Sequence, residues 1–474
     1  MSELSLNRAV AFALVLAGCT GQQYSAQRDT VLEVPDAYST VEIDGVAAEG
    51  WCSDFGSPEL SGLVDRAFEE NFDLRQAWAR LEQADALAAQ ARSGWWPTVD
   101  AQIQAGAARQ QTVGPTGPVV DEVGAFGASL GAGYEVDLWG RLAATTQAAS
   151  YDVEAARADV ESMAISITSQ IAEAWFDAVL QREKLALLEE QIEIARKYLE
   201  LTELRLSQGA ATALDVNQQN QQIEQLRGQV ELVRAGEATA RNRLAVLLGK
   251  AGARTPKVDT EELPDLPAMP TVGVPADLVA ARPDVRAAEA RLRAADARTA
   301  AAARSKLPTL RLSASLFVQA SELADLLDDI FWSITGVLAQ NLFDGGRRTA
   351  EQARAEAAAK ERLYAYAKAV VQAIAEVENA LVLEAQQAKF LEHLEAQQQN
   401  AEIALSLARD RYRSGALDYL RVLTALQSLQ LVEQTMLDAQ RQQFSHRLQL
   451  CRALGGQWTR ELQVPAEHFG GNDE

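Results

Sequence analysis

The sequence predicts a mixed α+β fold, predominantly α, in which one structural unit is built twice. Three observations carry this. Arg205, Gly209, Leu214, Val216 and Gly249 recur 206 residues later as Arg411, Gly415, Leu420, Val422 and Gly455, and Gly140-Arg141 recurs as Gly346-Arg347. In each copy, apolar and polar residues alternate over strand-length stretches. Each copy then runs through a very long segment, 141–207 or 347–414, with neither Pro nor Gly. Duplication on this scale is an architectural signal, since solenoid units are far shorter.

The chain opens with Arg8, the apolar run Ala9 to Leu16, and Leu16-Ala17-Gly18-Cys19. The run is too short to span a bilayer as a helix and has the layout of a signal segment, residues 1–18. Leu-Ala-Gly-Cys has the form of a bacterial lipobox, which makes Cys19 the expected lipidated mature N-terminus. Thr20 follows it, rather than an Asp that would favour inner-membrane retention. A polar lead, 19–57, comes next. Residues 58–94 have the pattern of a helical pair, with Leu60, Leu63 and Ala67 on one face and Leu74, Ala77, Leu81 and Ala84 on the next. Pro97 ends it, because the residue before a proline is pushed out of the helical region.

A period of two then takes over. Val99, Ala101, Ile103, Ala105 and Ala107 alternate with Asp100, Gln102 and Gln104; past a Gly/Pro-rich loop (Gly114 to Pro118), Phe126, Ala128, Leu130, Ala132, Tyr134, Val136 and Leu138 alternate with small or polar residues. This marks strands with one apolar and one polar face. The second copy repeats the pattern at Leu310, Leu312, Ala314 and Leu316, then less regularly through Trp332, Ile334, Leu338 and Leu342. A half-buried soluble hairpin has the same alternation. The aromatic residues at strand ends (Trp95, Trp96, Trp139) and the small or polar opposite face favour a membrane barrel. No segment after the signal carries 18 consecutive apolar residues, so a spanning structure here must be a closed barrel. Four strands cannot close one, so a membrane reading requires an oligomer.

The remainder is helical. Ile167, Ile171, Ala174, Ala178, Leu185, Leu188, Ile192, Ala195 and Leu199 step by three, four and seven, as in a coiled-coil seam, and Ile374, Val377, Leu381, Ala388 and Leu391 form a similar stripe. Each long helix turns at a glycine (Gly209, Gly415) and returns over 212–248 or 418–454. The first repeat thus occupies 58–250 and the second 276–456, joined by the Pro-rich linker 251–275 and followed by a tail, 457–474. Pro283, at the start of Pro283-Asp284-Val285-Arg286, fits a first helical position, where its missing N–H is harmless.

A formal net charge of −22 argues against nucleic-acid binding. The 3 histidines stand in unrelated contexts, and no Cys/His spacing fits a metal site. Gly-rich phosphate loops and nucleophile elbows are missing too, so the sequence points to no enzyme, cofactor or metal. Sequence alone does not pair Cys52 and Cys451.

These features together resemble the TolC-like outer membrane efflux proteins, in the lipoprotein branch of the OprM/NodT type. The resemblance rests on the lipobox, Trp51-x-x-Asp54-Phe55, Asn71-x-Asp73-Leu74, Tyr134-Glu135-Val136-Asp137-Leu138-Trp139-Gly140-Arg141, Ala281-Arg282-Pro283-Asp284-Val285-Arg286 and Leu342-Phe343-Asp344-Gly345-Gly346-Arg347. It implies a homotrimer in which each chain gives four strands to a 12-stranded transmembrane β-barrel in outer membrane lipid, continued by a periplasmic α-helical tunnel. It also implies docking to a periplasmic adaptor (membrane fusion) protein and an inner-membrane pump, for export of drugs or metabolites selected by the pump. The rival is a lipid-anchored periplasmic coiled-coil adaptor or scaffold. By the same resemblance the gate lies at the turns Arg205–Val216 and Arg411–Thr424, with Asp215, Asp418, Leu420, Arg421 and Thr424 as its candidate residues. Arg421 stands where the first repeat has Asp215, which suggests an Asp215–Arg421 latch between hairpins; the plainer reading is two solvated helix ends, with Asp418 as a cap.

Overall fold

In the computed structural model, residues 24–27, 31, 34–35, 38, 55–115, 117–251, 256–270, 272, 274–455 and 462 are described. Cys19, Trp51, Cys52 and Asp54 lie outside them. The chain divides into two compact units. One contains residues 81–156 and 287–367, the other residues 55–80, 157–286 and 368–455.

The first unit holds a four-stranded antiparallel sheet in the order β1 (Thr98–Gly114), β2 (Gly117–Val136), β3 (Thr309–Ala320) and β4 (Ile330–Ala339). The register aligns the apolar positions into continuous rows: Val99, Ala132, Ala314 and Ile334 face one another, as do Ala101, Leu130, Leu316 and Trp332. The polar positions fall on the opposite face. Ser315 and Ser333 are direct partners whose hydroxyls meet at 2.8 Å, and Asp100 and Gly131 continue their row. Val99, Ile103, Leu130, Leu312 and Leu316 are all exposed on the apolar face.

The first hairpin differs from its sequence pattern. Alternation runs out near Ala107 and returns near Phe126, on either side of the Gly/Pro-rich loop expected at Gly114 to Pro118. Pairing instead continues to Gly114↔Gly117, although β3 meets β2 only from Phe126 onward. Backbone hydrogen bonding needs no side-chain alternation, so the ribbon extends past the patterned region. Gly117, at φ +118°, takes up the left-handed backbone of the turn. At the other end, the Trp139 indole N–H donates to Pro308 O (2.6 Å) and the Arg304 guanidinium donates to Gly140 O (2.7 Å), tying the two hairpins together where their strands end.

Helices α1 (Pro58–Glu70) and α2 (Phe72–Ser93) precede the sheet. The Ser57 hydroxyl caps α1 by accepting from Leu60 N–H. Asn71 is buried between the two helices; its amide donates to Leu247 O (2.7 Å) and its carbonyl oxygen accepts from Leu74 N–H (2.9 Å). That double role accounts for the asparagine of the Asn-x-Asp-Leu pattern.

After the first hairpin comes α3 (Arg141–Ser207), and its 67 residues rise about 100 Å as one helix. It returns as α4 (Ala213–Leu247). The second repeat supplies α5 (Pro275–Ala281), α6 (Pro283–Arg304), α7 (Arg347–Arg413) and α8 (Tyr419–Leu454). The sequence pattern suggests one helix over 276–306. The break falls at Arg282, whose ψ of 125° is the extended value a following proline imposes. The Arg282 side chain then bonds Asp284 (2.7 Å), Glu376 (2.8 Å) and Ala453 O (3.0 Å), pinning the start of α6 to α7 and α8.

The core of the second unit is the expected seam. Ile167, Ile171, Ala174, Ala178, Leu188, Ile192 and Ala195 are buried, with Leu185 and Leu199 partly so. Phe176 packs between Phe55 and Phe444, at ring distances of 5.5 and 4.7 Å.

Candidate functional site

Within the second unit, each helical hairpin reverses by the same device. Gly209 and Gly415 sit at φ +74° and +75°, and Ala210 N–H and Ala416 N–H each donate back to the carbonyls of Arg205 and Arg411 at 2.8 Å. This is the Schellman closure of a helix C-terminus. A Cβ at either glycine would meet nothing within 4 Å, so left-handed backbone, not crowding, requires glycine there.

The N-termini of the returning helices are capped differently. At α4, Thr212 and Asp215 form a reciprocal capping box: the Thr212 hydroxyl accepts from Asp215 N–H (3.3 Å), while Asp215 accepts from Thr212 N–H (2.8 Å) and its hydroxyl (2.8 Å). At α8, Asp418 is the cap and accepts from Arg421 N–H at 3.2 Å. Asp418 and Arg421 therefore meet through the backbone of one turn. Asp215 spends its hydrogen bonds on its own helix end, and within the protomer it forms no ion pair with Arg421 among the described residues. Leu420 is half-exposed, at 50%, and the Thr424 hydroxyl donates to Leu420 O (2.8 Å) inside its own helix.

What joins the hairpins lies elsewhere. The Arg205 guanidinium, on α3, stacks over the Tyr412 ring of α7 at 4.0 Å, and Arg409 of α7 lies 5.5 Å over the Tyr198 ring of α3 and donates to its hydroxyl. The Tyr419 hydroxyl, on α8, donates to Gln219 of α4. Burial pushes that phenol well above its usual range, against an opposing hydrogen bond from Thr202. Ile194 and Tyr198 pack on a cluster formed by Leu405, Tyr412, Tyr419, Val422 and Leu426.

Further along, the seam between hairpins is made of amides. Gln222 donates to Gln430 (3.0 Å) and accepts from Gln427 (2.6 Å), and Gln434 donates to Gln191 (2.9 Å). Gln191, Gln219, Gln222 and Gln430 are buried. None of these tyrosine, arginine or glutamine contacts is visible as a motif. Their partners are separated by about two hundred residues, and the nearest signal is the constancy of that separation: |i−j| is 205 for both Gln222–Gln427 and Gln229–Gln434.

The chain thus combines a sheet with one apolar face and two helical hairpins of matched length, and comparison decides the family. The family model of the outer membrane efflux protein matches residues 63–250 and 274–456. The chain belongs to this family. It is 30% identical over 478 residues to the pyoverdine export outer membrane protein OpmQ of Pseudomonas aeruginosa, covering 98% of each chain. The outer membrane protein OprJ of the same organism is 31% identical over 480 residues, again 98% of each. Among solved structures, the outer-membrane channel OprN superposes with a TM-score of 0.83 at 26% identity, over 90% of this chain and 98% of its own. The outer membrane protein VceC of Vibrio cholerae gives 0.80 at 26% identity, over 87% and 100%. This efflux protein is therefore an outer membrane component of an efflux system, a conduit rather than an enzyme.

Proposed function

We propose that three copies of this efflux protein assemble into one passive channel, with a barrel in the outer membrane and a periplasmic helical tunnel. The carrying observation is that the sheet ends in two open edges, β1 and β4, while its apolar face is exposed. Edges of this kind cannot stand in lipid, where each unpaired backbone group costs several kcal/mol. Pairing β4 of one copy with β1 of the next closes twelve strands. A periplasmic adaptor and an inner-membrane pump complete the export route, and lipidation at Cys19 assists targeting.

The tips are the gate in this reading. Asp215, Asp418, Leu420, Arg421 and Thr424 surround the constriction, with Leu420 as its apolar rim and any Asp215–Arg421 latch formed between copies. The closed state is held within each copy by Arg205 on Tyr412 and Arg409 on Tyr198. A cation–π contact in a partly buried site is screened less by salt than an exposed ion pair.

Fractionation with electrophoresis before and after heating tests the assembly; an outer-membrane trimer that dissociates on heating is expected, and a monomer in the periplasm refutes it. Single-channel recording tests the gate. Wild-type conductance is expected to be low, and Tyr412→Leu, Arg421→Ala or Leu420→Ala to raise it. If none does, the constriction is elsewhere. Mass spectrometry of the mature N-terminus tests Cys19: an unmodified chain retaining residues 1–18 refutes the lipid.

A further inference from the structure

The two β-hairpins of the sheet are equivalent residue for residue. In the first, Thr98 follows Pro97 and pairs with Gly133, which stands seven positions before Gly140-Arg141. In the second, Thr309 follows Pro308 and pairs with Ala339, seven positions before Gly346-Arg347. β1 therefore corresponds to β3, and β2 to β4, with no slip between the copies.

Within the chain, one junction joins the first hairpin to the second. β2 runs past Gly133 to Val136 and pairs there with β3, Val136 against Leu310 and Glu135 against Arg311. The corresponding residues of the second hairpin, Asn341 and Leu342, lie beyond the end of β4 at Ala339, on the open edge of the sheet. Leu342 is 91% exposed. β4 thus stops three residues short of its repeat-mate, where no further strand of this chain runs beside it. On the other open edge, the residues of β1 that correspond to Leu310 and Arg311 are Val99 and Asp100, and both are exposed.

We propose that β4 pairs with β1 of a second copy in the register of that internal junction. Leu342 lies opposite Val99 of the next copy, Asn341 opposite its Asp100 and Leu338 opposite its Ile103, and β4 lengthens to Leu342. This rests on the reading of three copies in one barrel, which says that the edges meet but not in which register. Two features of the chain agree with it. Apolar meets apolar on one face, since Ile334 then falls opposite Ala107; a slip of one residue would set the apolar side chains of β4 beside the polar face of β1. On the opposite face the Asn341 amide, a donor, meets the Asp100 carboxylate, where the internal junction sets Arg311 against Glu135. A second copy is the partner that fits, because it brings β1, the strand equivalent to β3.

Cysteine pairs test the register in the full-length protein in outer membranes, on a background of Cys52→Ser and Cys451→Ala. Directly opposite Cβ atoms lie about 5 Å apart, and those displaced by two positions roughly 7–8 Å, beyond the reach of a disulfide. Val337→Cys with Gln104→Cys should oxidise to a covalent trimer. Its yield should exceed by at least about threefold that of Val337→Cys with Gln102→Cys or with Gly106→Cys. Preference for either displaced partner overturns the register and leaves the three-copy reading standing. A cross-link from Val337→Cys alone means that β4 meets another β4. No cross-link from any pair in a trimeric protein means that other edges meet. Either result overturns the proposal, and a protein that is monomeric before heating removes the three-copy reading and the seam with it. Asn341→Asp gives a second test without a covalent bond. It sets a like charge opposite Asp100, so the trimer should dissociate at a lower temperature, and adding Asp100→Asn should restore it. No loss, or a loss that Asp100→Asn does not restore, overturns the seam.

Discussion

The two hairpin turns of this protein solve the same geometrical problem with different side chains. Arg205 to Ala210 and Arg411 to Ala416 close with the same glycine conformation and the same 2.8 Å bond. Five residues on, the copies diverge. Thr212 and Asp215 form a self-contained box, whereas Asp418 caps alone and leaves the Arg421 side chain outside the cap. The backbone of a reversal is constrained by the helix end it must satisfy. The cap requires only one short polar acceptor, and several residue types supply it. Duplication has therefore preserved what the chain must do at the turn and varied what it presents there.

The same comparison extends to the strands, where the largest effect is expected. Leu130 and Leu316 come from different copies and face each other directly. Leu130→Arg and Leu316→Arg should each cost roughly 2–4 kcal/mol near the bilayer midplane, read as folding into vesicles. Ser129→Arg and Ser315→Arg, one position along on the other face, should be mild. Tolerance at Leu316 with intolerance at Leu130 would mean that the two hairpins do not share one lipid face.

At the turns, Gly209→Ala and Gly415→Ala should each destabilise by about 1–2 kcal/mol, because left-handed backbone disfavours any Cβ. Equal effects sharpen the equivalence of the copies; a loss at only one would break it. Replacing the caps gives less. Thr212→Ala and Asp418→Ala should each cost about 1 kcal/mol in denaturant unfolding, with Thr212→Ala the larger because its box loses bonds in both directions.

The smallest effect separates Glu433 from its repeat-mate Arg227. Burial raises the Glu433 pKa, neighbouring Glu190 and Glu402 add to the shift, and the Gln191 amide opposes it. A carboxyl whose pKa is raised on folding contributes stability in acid, which is lost as pH rises through that raised pKa. Glu433→Gln should therefore raise the thermal midpoint at pH 7 and leave it unchanged near pH 4. Arg227, exposed and 2.6 Å from Glu224, should tolerate Gln within about 0.5 kcal/mol at either pH.

Most helix boundaries were legible because local chemistry sets them. Pro97, Gly209, Pro283 and Gly415 act on their immediate neighbours, and the long Pro-free runs left nothing to end α3 or α7 early. The ribbon beyond Phe126 was not legible, since its pairing is carried by backbone groups that every residue has. The tip was legible in its turns and in the Asp418 cap, but not in the Thr212–Asp215 box or in its other bonds. Arg205–Tyr412 and Arg409–Tyr198 join residues about two hundred positions apart, and in sequence each is an ordinary cation or aromatic on a helix.

By itself, then, the sequence determined the duplicated plan, the two-faced strands, the lengths of the hairpins and the places where they turn, because periodicity and backbone restriction act within a few residues. Tertiary structure alone decided which polar side chains leave solvent. Gln191, Gln222 and Gln430 have the composition of a solvated helix face, yet they are buried against one another. An amide enters such a core when another helix brings it a hydrogen-bond partner at the same height, and no local pattern records that meeting.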